Sequence, residues 1–281
     1  MGVSMNKTQI INESIDYILE HFAEEITIED VADNFHFSKY YFCRVFKEVT
    51  GESVYAFIKR LKMDQSAIDI KLLKSEKITE IGVNYGYSSS NYSSAFSKHH
   101  QVSPNEFRRA ANSANMISPF KPNEMIRFKT FDEYDEKITV QEIGDFCVIY
   151  ERMIGNYFEL REKWFTFMNA YSNSICEDTI MIERYYNDPA ITDLNRCVCD
   201  LCMTVDKTSK YENITTISGG RFLIYPYEGS IQDIFGTLQG LFRIWMPQSI
   251  YRMDRRYGLN IYRKIDKDQG SVIMDLCIPI K

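Results

Sequence analysis

The stretch "YGYSSSNYSSAFSKHH", residues 85–100, indicates how the first third of the chain folds. Shifted back by fifty positions, it falls on "FHFSKYYFCRVFKEVT", residues 35–50, with aromatic residues on aromatic residues and serine on serine. A repeat at one fixed spacing predicts two copies of a single structural unit. The matches are Tyr85 with Phe35, Tyr87 with Phe37, Ser88 with Ser38, Tyr92 with Phe42, and Phe96 with Phe46.

Each copy predicts a short helix, a tight turn that ends on serine, and a longer helix. In the first copy Thr27 and Asp30 form a variant of the capping box, and Ser38 caps the second helix. In the second copy Gly86 occupies the turn, where a positive φ is inexpensive for glycine alone. This is a helix-turn-helix unit, whose second helix fits the major groove of DNA.

The pattern around the two copies predicts a complete helical domain over residues 1–111. Residues 53–73 lack glycine and proline and keep a helical periodicity, which predicts a long connecting helix. Ser103, Pro104 and Glu106 form a start signal for a closing helix. Seven helices ending near Ala111 are therefore expected. Residues 112–123, "NSANMISPFKPN", hold turn formers and two prolines and predict a linker.

Residues 124–281 alternate in the manner of β-strands and contain a second repeat, at a spacing of seventy-five. "VIY" at 148–150 corresponds to "LIY" at 223–225, "DLC" at 200–202 recurs at 275–277, and Gly144 matches Gly219. Each half predicts a β-α-β-β unit. The expected fold class is a multidomain chain, with an all-α double helix-turn-helix domain before an α+β domain of two pseudo-symmetric repeats. A cleft between such repeats suits a small ligand.

Composition limits the function classes further. The 281 residues carry a net charge of −6, but residues 36–112 hold twelve Lys and Arg against seven Asp and Glu, a local net of +5. That excess fits a phosphate-binding surface. No apolar run approaches the 18 or so residues of a membrane span and no leader pattern is present, so a cytoplasmic protein without membrane contact is expected. The 7 scattered cysteines predict reduced thiols.

Motifs in both halves of the sequence resemble those of known families. The two motifs, the "FKEVTG" after the first and the "VSPNEFRR" after the second are similar to the double helix-turn-helix domain of AraC/XylS transcription regulators. The remainder resembles gyrase-inhibitor-like (SHS2-type) effector domains in "YYNDP" (185–189), "RCVCDLCMTV" (196–205), "SGGRF" (218–222), "YEG" (227–229) and "LCIPI". A DNA-binding domain before an effector domain is the arrangement of Rob-like regulators.

The resemblance implies which side chains face DNA. In the first unit, the family's groove-facing positions carry Tyr40, Cys43 and Arg44, and Arg44 can grip a guanine edge bidentately. The family commonly has arginine where Ser94 stands, so the first unit is expected to specify sequence and the second to position the protein on phosphates. Lys98 and Arg108 are either backbone contacts or plain surface charges. The other candidates are Lys39, Lys47, Ser90, Asn91 and Ser93.

Related effector domains carry a glutamate in an "E-I-Y" motif that meets cationic drugs, and Asn260 replaces it in "LNIY". The seventy-five-residue shift places Tyr185 opposite Asn260, so both are expected in the cleft. Glu183 is either a relocated carboxylate or a surface residue at a strand end. Four further aromatics either line the cleft or belong to the core, and an aromatic cleft suits flat or cationic ligands. They are Tyr150, Trp164, Tyr225 and Trp245.

Two sets of residues raise the alternatives of metal binding and catalysis. Cys197, Cys199 and Cys202 invite a metal site, but a fourth ligand is not evident, and buried strand thiols are favoured. A cleft hydrolase needs a paired acid and tyrosine, against which the loss of glutamate at Asn260 counts. The favoured prediction is a non-enzymatic transcription activator without a cofactor. Its partners are double-stranded promoter DNA, a small-molecule effector and RNA polymerase. A ligand-sequestering protein or a cleft hydrolase is the alternative.

Overall fold

The structure, a computed structural model, describes residues 6–22, 26–266 and 270–281. The chain divides into two compact units, and the boundary between them in the sequence lies between Ala110 and Ala111. The described part of the first unit folds into the seven helices expected from its repeat. They are α1 (Lys7–His21), α2 (Ile28–Asn34), α3 (Lys39–Thr50), α4 (Val54–Leu72), α5 (Ile78–Asn84), α6 (Ser89–His100) and α7 (Pro104–Ala111).

The fifty-residue repeat is visible in the backbone, because α2 and α3 recur as α5 and α6 with the same lengths. Ser38 and Ser88 cap α3 and α6, accepting hydrogen bonds from the amides of Tyr41 and Asn91. Gly86 adopts the expected positive φ of 80° in the second turn. His36 adopts φ 59° in the first turn, so both turns use the left-handed conformation although one lacks glycine.

The expected capping boxes form at the starts of the second and the seventh helix. Thr27 and Asp30 satisfy each other's backbone amides at the start of α2. Ser103 and Glu106 do the same before α7. The long helix α4 anchors the second copy, since Tyr92 of α6 donates a hydrogen bond of 2.8 Å from its hydroxyl to Ser66 Oγ. Burial raises the pKa of Tyr92 to about 12.

The second unit begins with a feature that the linker prediction missed. Residues 112–123 contain strand β1 (Asn115–Ile117). This strand pairs antiparallel with β2 (Met125–Arg127), and Met116 lies opposite Ile126. The stretch therefore contains the first strand of a hairpin, because alternate apolar residues flank its turn formers. The short helix α8 (Phe131–Asp135) follows.

An eight-stranded antiparallel sheet forms the body of this unit, with the order β3-β8-β10-β9-β5-β6-β4-β7. The predicted repeats are present as β4-α9-β5-β6 and β8-α10-β9-β10. Arg184 pairs with Leu259 at the centre, and these residues lie one repeat apart in sequence, so the pseudo-twofold axis passes through this pair. The bounds are β3 Thr139–Ile143, β4 Phe146–Gly155, α9 Leu160–Ala170, β5 Met181–Tyr185, β6 Cys197–Thr204, β7 Ile214–Ile217, β8 Gly220–Ser230, α10 Ile234–Gly240, β9 Gly258–Asp266 and β10 Ser271–Pro279.

The sheet must curl so that its two edges meet. Only Gly144 and Asp145 join β3 to β4, although five strands lie between them in the sheet order. A flat sheet would separate the two by roughly 29 Å, whereas a two-residue link reaches only about 11 Å. The link from β7 to β8 crosses at the same place, where the Gly219 amide donates to Asp145 Oδ1 at 2.8 Å. A Cβ on Gly219 would lie 2.0 Å from the Ile143 carbonyl oxygen, so this crossing requires glycine.

The two faces of the curled sheet bury different sets of side chains. One face carries a core shared by both repeats, with Val148, Ile182, Cys202, Phe222 and Leu259 among its members. The other face packs against α9 through Ile149, Leu201, Met203 and Phe167. Since strand residues alternate between faces, Glu183 lies on the face that carries α9.

Candidate functional sites

The second helix of each helix-turn-helix copy presents the predicted DNA-facing residues to solvent. On α3, Tyr40 is 82% exposed and Cys43 is half-buried. The remaining candidates on both helices are exposed. They are Lys39, Arg44 and Lys47 on α3, and Ser90, Asn91, Ser93, Ser94 and Lys98 on α6. The fold thus gives both helices a polar outer surface of the size and shape that enters a major groove.

Electrostatic contacts distinguish the basic residues of this surface. Lys39 forms a salt bridge with Glu29, and this hydrogen bond raises the pKa of Lys39. The guanidinium carbon of Arg44 lies 5.4 Å from the centre of the Tyr41 ring, which supports the side chain without covering it. Arg44 therefore keeps its donors for another partner, whereas Lys39 must first leave Glu29.

Arg108 does not behave as a plain surface charge. It lies half-buried on α7, and its Nε and Nη2 atoms are buried without a hydrogen-bond partner among the described residues. A buried guanidinium with unused donors is costly, and a phosphate oxygen would satisfy it. The predicted backbone contact remains a prediction for this residue.

Glu183 forms the centre of the second candidate site, on the α9 face of the sheet. Its side chain is only 5% exposed, so the alternative of a surface residue at a strand end is wrong. Trp164 Nε1 of α9 donates to Oε1 at 2.9 Å, Asn260 Nδ2 of β9 donates to Oε2 at 2.9 Å, and the Tyr262 hydroxyl donates to Oε1. Glu183 and Asn260 are direct register partners at the junction of the two repeats.

The predicted pairing of Tyr185 with Asn260 is corrected by this register. Tyr185 pairs with Gly258, and a Cβ on Gly258 would lie 2.2 Å from the Tyr185 ring, so that ring covers the glycine. Tyr185 and Asn260 lie one repeat apart in the sequence, so the pseudo-twofold axis at the Arg184–Leu259 pair relates them to each other. They are therefore symmetry equivalents and not register partners. Both still lie on the same sheet face as Glu183. Tyr185 follows Glu183 by two residues on the same strand, and Asn260 pairs directly with Glu183 on the neighbouring strand.

Several atoms of this site can accept a further hydrogen bond. Asn260 Oδ1 and the Tyr185 hydroxyl are buried and have no hydrogen-bond partner among the described residues. A carboxylate offers about four lone-pair positions, and three donors reach Glu183. A buried polar atom without a partner costs about 1–3 kcal/mol, so an incoming N–H donor would be stabilised here.

One aromatic residue that sequence reasoning missed belongs to the site. Tyr262 contacts Glu183 and packs edge-to-face on Trp164, with ring centres 5.7 Å apart. Tyr262 follows Asn260 by two residues in "LNIY", so strand alternation places it on the same sheet face and could have found it.

Three predicted cleft aromatics have structural partners elsewhere. Tyr150 lies on the opposite sheet face, because it pairs with Cys202 while Glu183 pairs with Leu201. Trp245 is buried, stacks on Phe131 and Tyr251, and donates to Asp135 Oδ1 at 2.8 Å. Tyr225 packs on Tyr134 and accepts from Lys129 Nζ at 3.3 Å. None of the contacts that the structure describes places these three against Glu183.

The three strand cysteines do not converge on one point. Cys197 and Cys199 lie on one face of β6, whereas Cys202 lies on the other and joins the core with Ile182. All three are buried. They therefore cannot share one metal ion, which agrees with their interpretation as buried thiols. Among the helices in the described ranges, none has the length and apolarity needed to cross a membrane.

Comparison with known proteins identifies both units. A helix-turn-helix domain model matches residues 31–110, and a model of the GyrI-like small molecule binding domain matches residues 136–281. These matches define the class: an AraC-type DNA-binding domain followed by a small-molecule-binding domain. Because the second match covers more than half of the sequence, the chain belongs to the GyrI-like small molecule binding domain family.

The similar curated proteins match over 103 to 108 residues of this chain. The Tn10 TetD protein of Escherichia coli is 28% identical over 103 residues, which are 36% of this chain and 74% of TetD. Regulatory protein PocR of Salmonella typhimurium is 30% identical over 103 residues, 36% of this chain and 34% of PocR. Transcriptional regulator Rob of the same organism is 27% identical over 108 residues, 38% of this chain and 37% of Rob. The match thus spans only about a third of PocR and of Rob.

Two solved structures are similar to part of the chain. The C-terminal domain of AraT, a response regulator from Geobacillus stearothermophilus, is 31% identical with a TM-score of 0.34, covering 41% of this chain and 93% of that one. The EcmrR C-terminal domain is 15% identical with a TM-score of 0.42, covering 51% of this chain and 96% of that one.

Proposed function

We propose that this protein is a cytoplasmic, non-enzymatic transcription regulator that binds double-stranded promoter DNA through α3 and α6. In this proposal a small aromatic cation bound at Glu183 changes the affinity for that DNA. The observation that carries the ligand assignment is the buried Glu183 carboxylate beside Asn260 Oδ1, an acceptor that has no partner among the described residues. Contact with RNA polymerase and activation of transcription belong to the proposal through the family resemblance alone.

Charge and shape both favour an aromatic cation over a neutral ligand. Related effector domains carry a glutamate where this chain has Asn260. Here Glu183, which is in direct contact with Asn260, supplies the negative charge instead. Trp164 and Tyr262 contact it and supply aromatic surface, which attracts cations through the ring face. Asn260 Oδ1 and Tyr185 add acceptors for the ligand's N–H groups. A flat cation with N–H donors uses all of these features at once.

DNA selection tests the regulator assignment. We expect the whole chain to enrich one sequence class from a random double-stranded pool, with affinity that falls as salt rises because phosphate contacts release counterions. Addition of a cationic ligand should change the affinity for the enriched class by about tenfold, a typical coupling between two sites. Failure to enrich any sequence, with or without ligand, would remove the regulator assignment and favour a ligand-sequestering protein.

Glu183→Gln tests the ligand site. The probe is ethidium, a flat aromatic cation with amino groups, and the neutral parent ring phenanthridine serves as the uncharged comparison. We expect the Kd for ethidium to rise at least about tenfold, because a charge-assisted hydrogen bond is worth about 1.5–3 kcal/mol. The Kd for phenanthridine should change much less. Fluorescence titration measures both.

Glu228→Gln is the matched control, since Glu228 is exposed on β8 and the substitution removes the same charge. An equal effect of the two substitutions on ethidium affinity would contradict a role for Glu183. The second candidate function is a hydrolase, which the contact between Glu183 and Tyr262 favours as an acid–tyrosine pair. Ethidium and phenanthridine have no hydrolysable bond, so this test uses an aromatic ester such as p-nitrophenyl acetate. Release of p-nitrophenol and acetate by the wild-type chain, lost in Glu183→Gln, would establish it.

A further inference from the structure

Asp64, His99 and His100 bring three metal-ligating side chains together in the helical unit. One ligand atom of each side chain lies within 4.8 Å of the ligand atoms of the other two. His99 Nε2 lies 2.8 Å from Asp64 Oδ1, and His100 Nε2 lies 3.4 Å from the carbonyl oxygen of Met63, the residue before Asp64. Both imidazoles therefore contact the same short segment of α4.

Two helices position this cluster. Asp64 lies near the middle of α4, whereas His99 and His100 form the last turn of α6. The Tyr92 hydroxyl of α6 bonds to Ser66 of α4, and His99 follows Tyr92 by seven residues, about two helical turns. His99 thus lies on the side of α6 that packs on α4. Side chains on packed helices hold a ligand geometry more precisely than side chains on loops.

The Asp64 carboxylate is held in position by a second ion pair. Asp64 is 1% exposed, and Arg60 Nη1 lies 3.7 Å from its Oδ2 atom. Arg60 is itself fixed by Glu52, with 2.6 Å between Arg60 Nη2 and Glu52 Oε1. Glu52 offsets the charge of the guanidinium, so Arg60 does not exclude a second cation from Asp64. Outer groups of this kind commonly orient the carboxylates that bind metals.

The two histidines suit metal ligation in protonation state and access. Burial lowers the pKa of His100, so its imidazole is neutral at neutral pH and keeps a lone pair on one ring nitrogen. Its ring packs on Phe96 and Phe107, with centres 4.4 Å and 5.9 Å away. The His99 side chain is 30% exposed, so ions reach the cluster from solvent on that side.

We propose that Asp64, His99 and His100 bind one divalent transition metal ion, for which Zn²⁺ fits the ligands best, and that the ion fixes α6 to α4. Two imidazole nitrogens and a carboxylate oxygen are Zn²⁺ ligands, and water completes a four-coordinate site. Tetrahedral ligands at about 2.0–2.2 Å from Zn²⁺ lie about 3.3–3.6 Å from one another, so side-chain shifts of about 1 Å close the cluster on the ion. The site does not depend on the ligand assigned to Glu183.

Zn²⁺ titration of the full-length chain, stripped of metal with a chelator, tests the site. We expect one Zn²⁺ to bind at the cluster, and His99→Gln should raise the Kd of this site at least about hundredfold. Loss of a group that only orients a ligand already costs about 10–100-fold in metal affinity. Glutamine keeps an N–H donor for Asp64 but has no imidazole lone pair. Isothermal titration calorimetry measures the stoichiometry and the Kd.

His36→Gln is the matched control, because His36 is exposed in the turn between α2 and α3 and does not belong to the cluster. It should leave the Kd for Zn²⁺ unchanged. His100→Phe is a second ligand variant, which keeps an aromatic ring against Phe96 and Phe107, and it should weaken Zn²⁺ binding as His99→Gln does. Equal Kd values for Zn²⁺ in the wild type and both ligand variants would overturn the site.

Co²⁺ absorption separates this site from the 7 cysteine thiols of the chain. Co²⁺ bound by nitrogen and oxygen lacks the charge-transfer band that a thiolate ligand produces. We expect the first equivalent of Co²⁺ to bind the wild type without this band. A thiolate band on the first equivalent, present equally in His99→Gln, would assign the metal to cysteines and overturn the proposal.

Thermal unfolding tests whether the ion fixes α6 to α4. An ion that binds only the folded state stabilises it, so Zn²⁺ at a hundredfold excess over Kd should raise the Tm of the helical unit by about 10 °C. The Tm of His99→Gln should not respond. Far-UV circular dichroism follows the unfolding of the helices. A Tm that rises equally in the wild type and His99→Gln, or in neither, would overturn this role of the ion.

Discussion

Asp200→Asn is expected to lower the free energy of unfolding of the second unit by about 3–5 kcal/mol, because it leaves two buried arginines without their anion. Asp200 is 0% exposed. Arg152 donates to it through Nε at 2.7 Å and Nη2 at 2.8 Å, and Arg184 donates through Nε at 2.9 Å and Nη2 at 2.6 Å. The Tyr186 hydroxyl adds a fifth donor at 3.2 Å.

The pKa of Asp200 explains the direction of this effect. Burial alone would raise it, but the charges and hydrogen bonds of Arg152 and Arg184 outweigh burial and hold the pKa below its usual value. A carboxyl whose pKa is lower in the folded state stabilises the fold above its unfolded pKa of about 4. The stabilisation is lost as the pH falls through the lower folded value. The wild-type unit should therefore lose stability in acid, and the variant should lack this part of the pH dependence.

Asp275→Asn provides a control at the position one repeat later. Asp275 pairs with Arg263, whose side chain is 63% exposed, so water can replace the lost carboxylate. A smaller loss of stability is expected there. Tryptophan fluorescence during denaturant unfolding measures both, because the 2 tryptophans, Trp164 and Trp245, lie in the second unit. Equal losses for Asp200 and Asp275 would show that burial of the arginines does not set the cost.

Arg44→Ala is expected to weaken binding to the selected DNA site by about tenfold to a hundredfold, since a bidentate arginine–guanine contact contributes about 1–3 kcal/mol. Binding to random DNA should change little, so sequence preference relaxes. Ser94→Ala, at the same position of the second copy, should weaken binding to selected and random DNA alike by a few-fold, because the Ser94 hydroxyl is expected to contact phosphate, which carries no sequence information. Fluorescence anisotropy with both DNA types measures the two ratios.

Lys59→Ala controls for the loss of one positive charge, because Lys59 is exposed on α4 and belongs to neither second helix. Its effect on selected and random DNA should be small and equal. A selective loss of the specific site in Ser94→Ala would contradict the division of labour between the two helices. Unchanged preference in Arg44→Ala would remove Arg44 from base recognition.

Sequence repeats predicted the fold well because each repeat constrains many residues at once. The fifty-residue spacing reproduces the bounds of α2 and α3 in α5 and α6, and the seventy-five-residue spacing reproduces the order of strands and helices. The same spacing predicts the wrong pairing at the Glu183 site. It relates Tyr185 to Asn260 by symmetry, but contact depends on where the axis crosses the sheet, and the sequence does not give that position.

The sequence predicts less well which aromatic side chains face the Glu183 site, for a related physical reason. Tyr150 and Glu183 face opposite sides of the sheet, and a strand's sequence does not say which of its two faces carries the helices. Trp245 donates a hydrogen bond to Asp135, which lies far away in the sequence, and no local pattern predicts a partner at that distance. The hairpin strand β1 is only three residues long, too short for a periodic signal.

The crossing of the β3–β4 and β7–β8 links has a consequence for how such a domain can arise. Strand β3 belongs to the first repeat and pairs with β8 of the second, while β7 belongs to the second and pairs with β4 of the first. A chain with one repeat alone would lack the neighbour for its own leading strand. Two identical short chains that exchanged those strands would rebuild the whole sheet as a symmetric dimer, and gene fusion would turn that dimer into the present single chain.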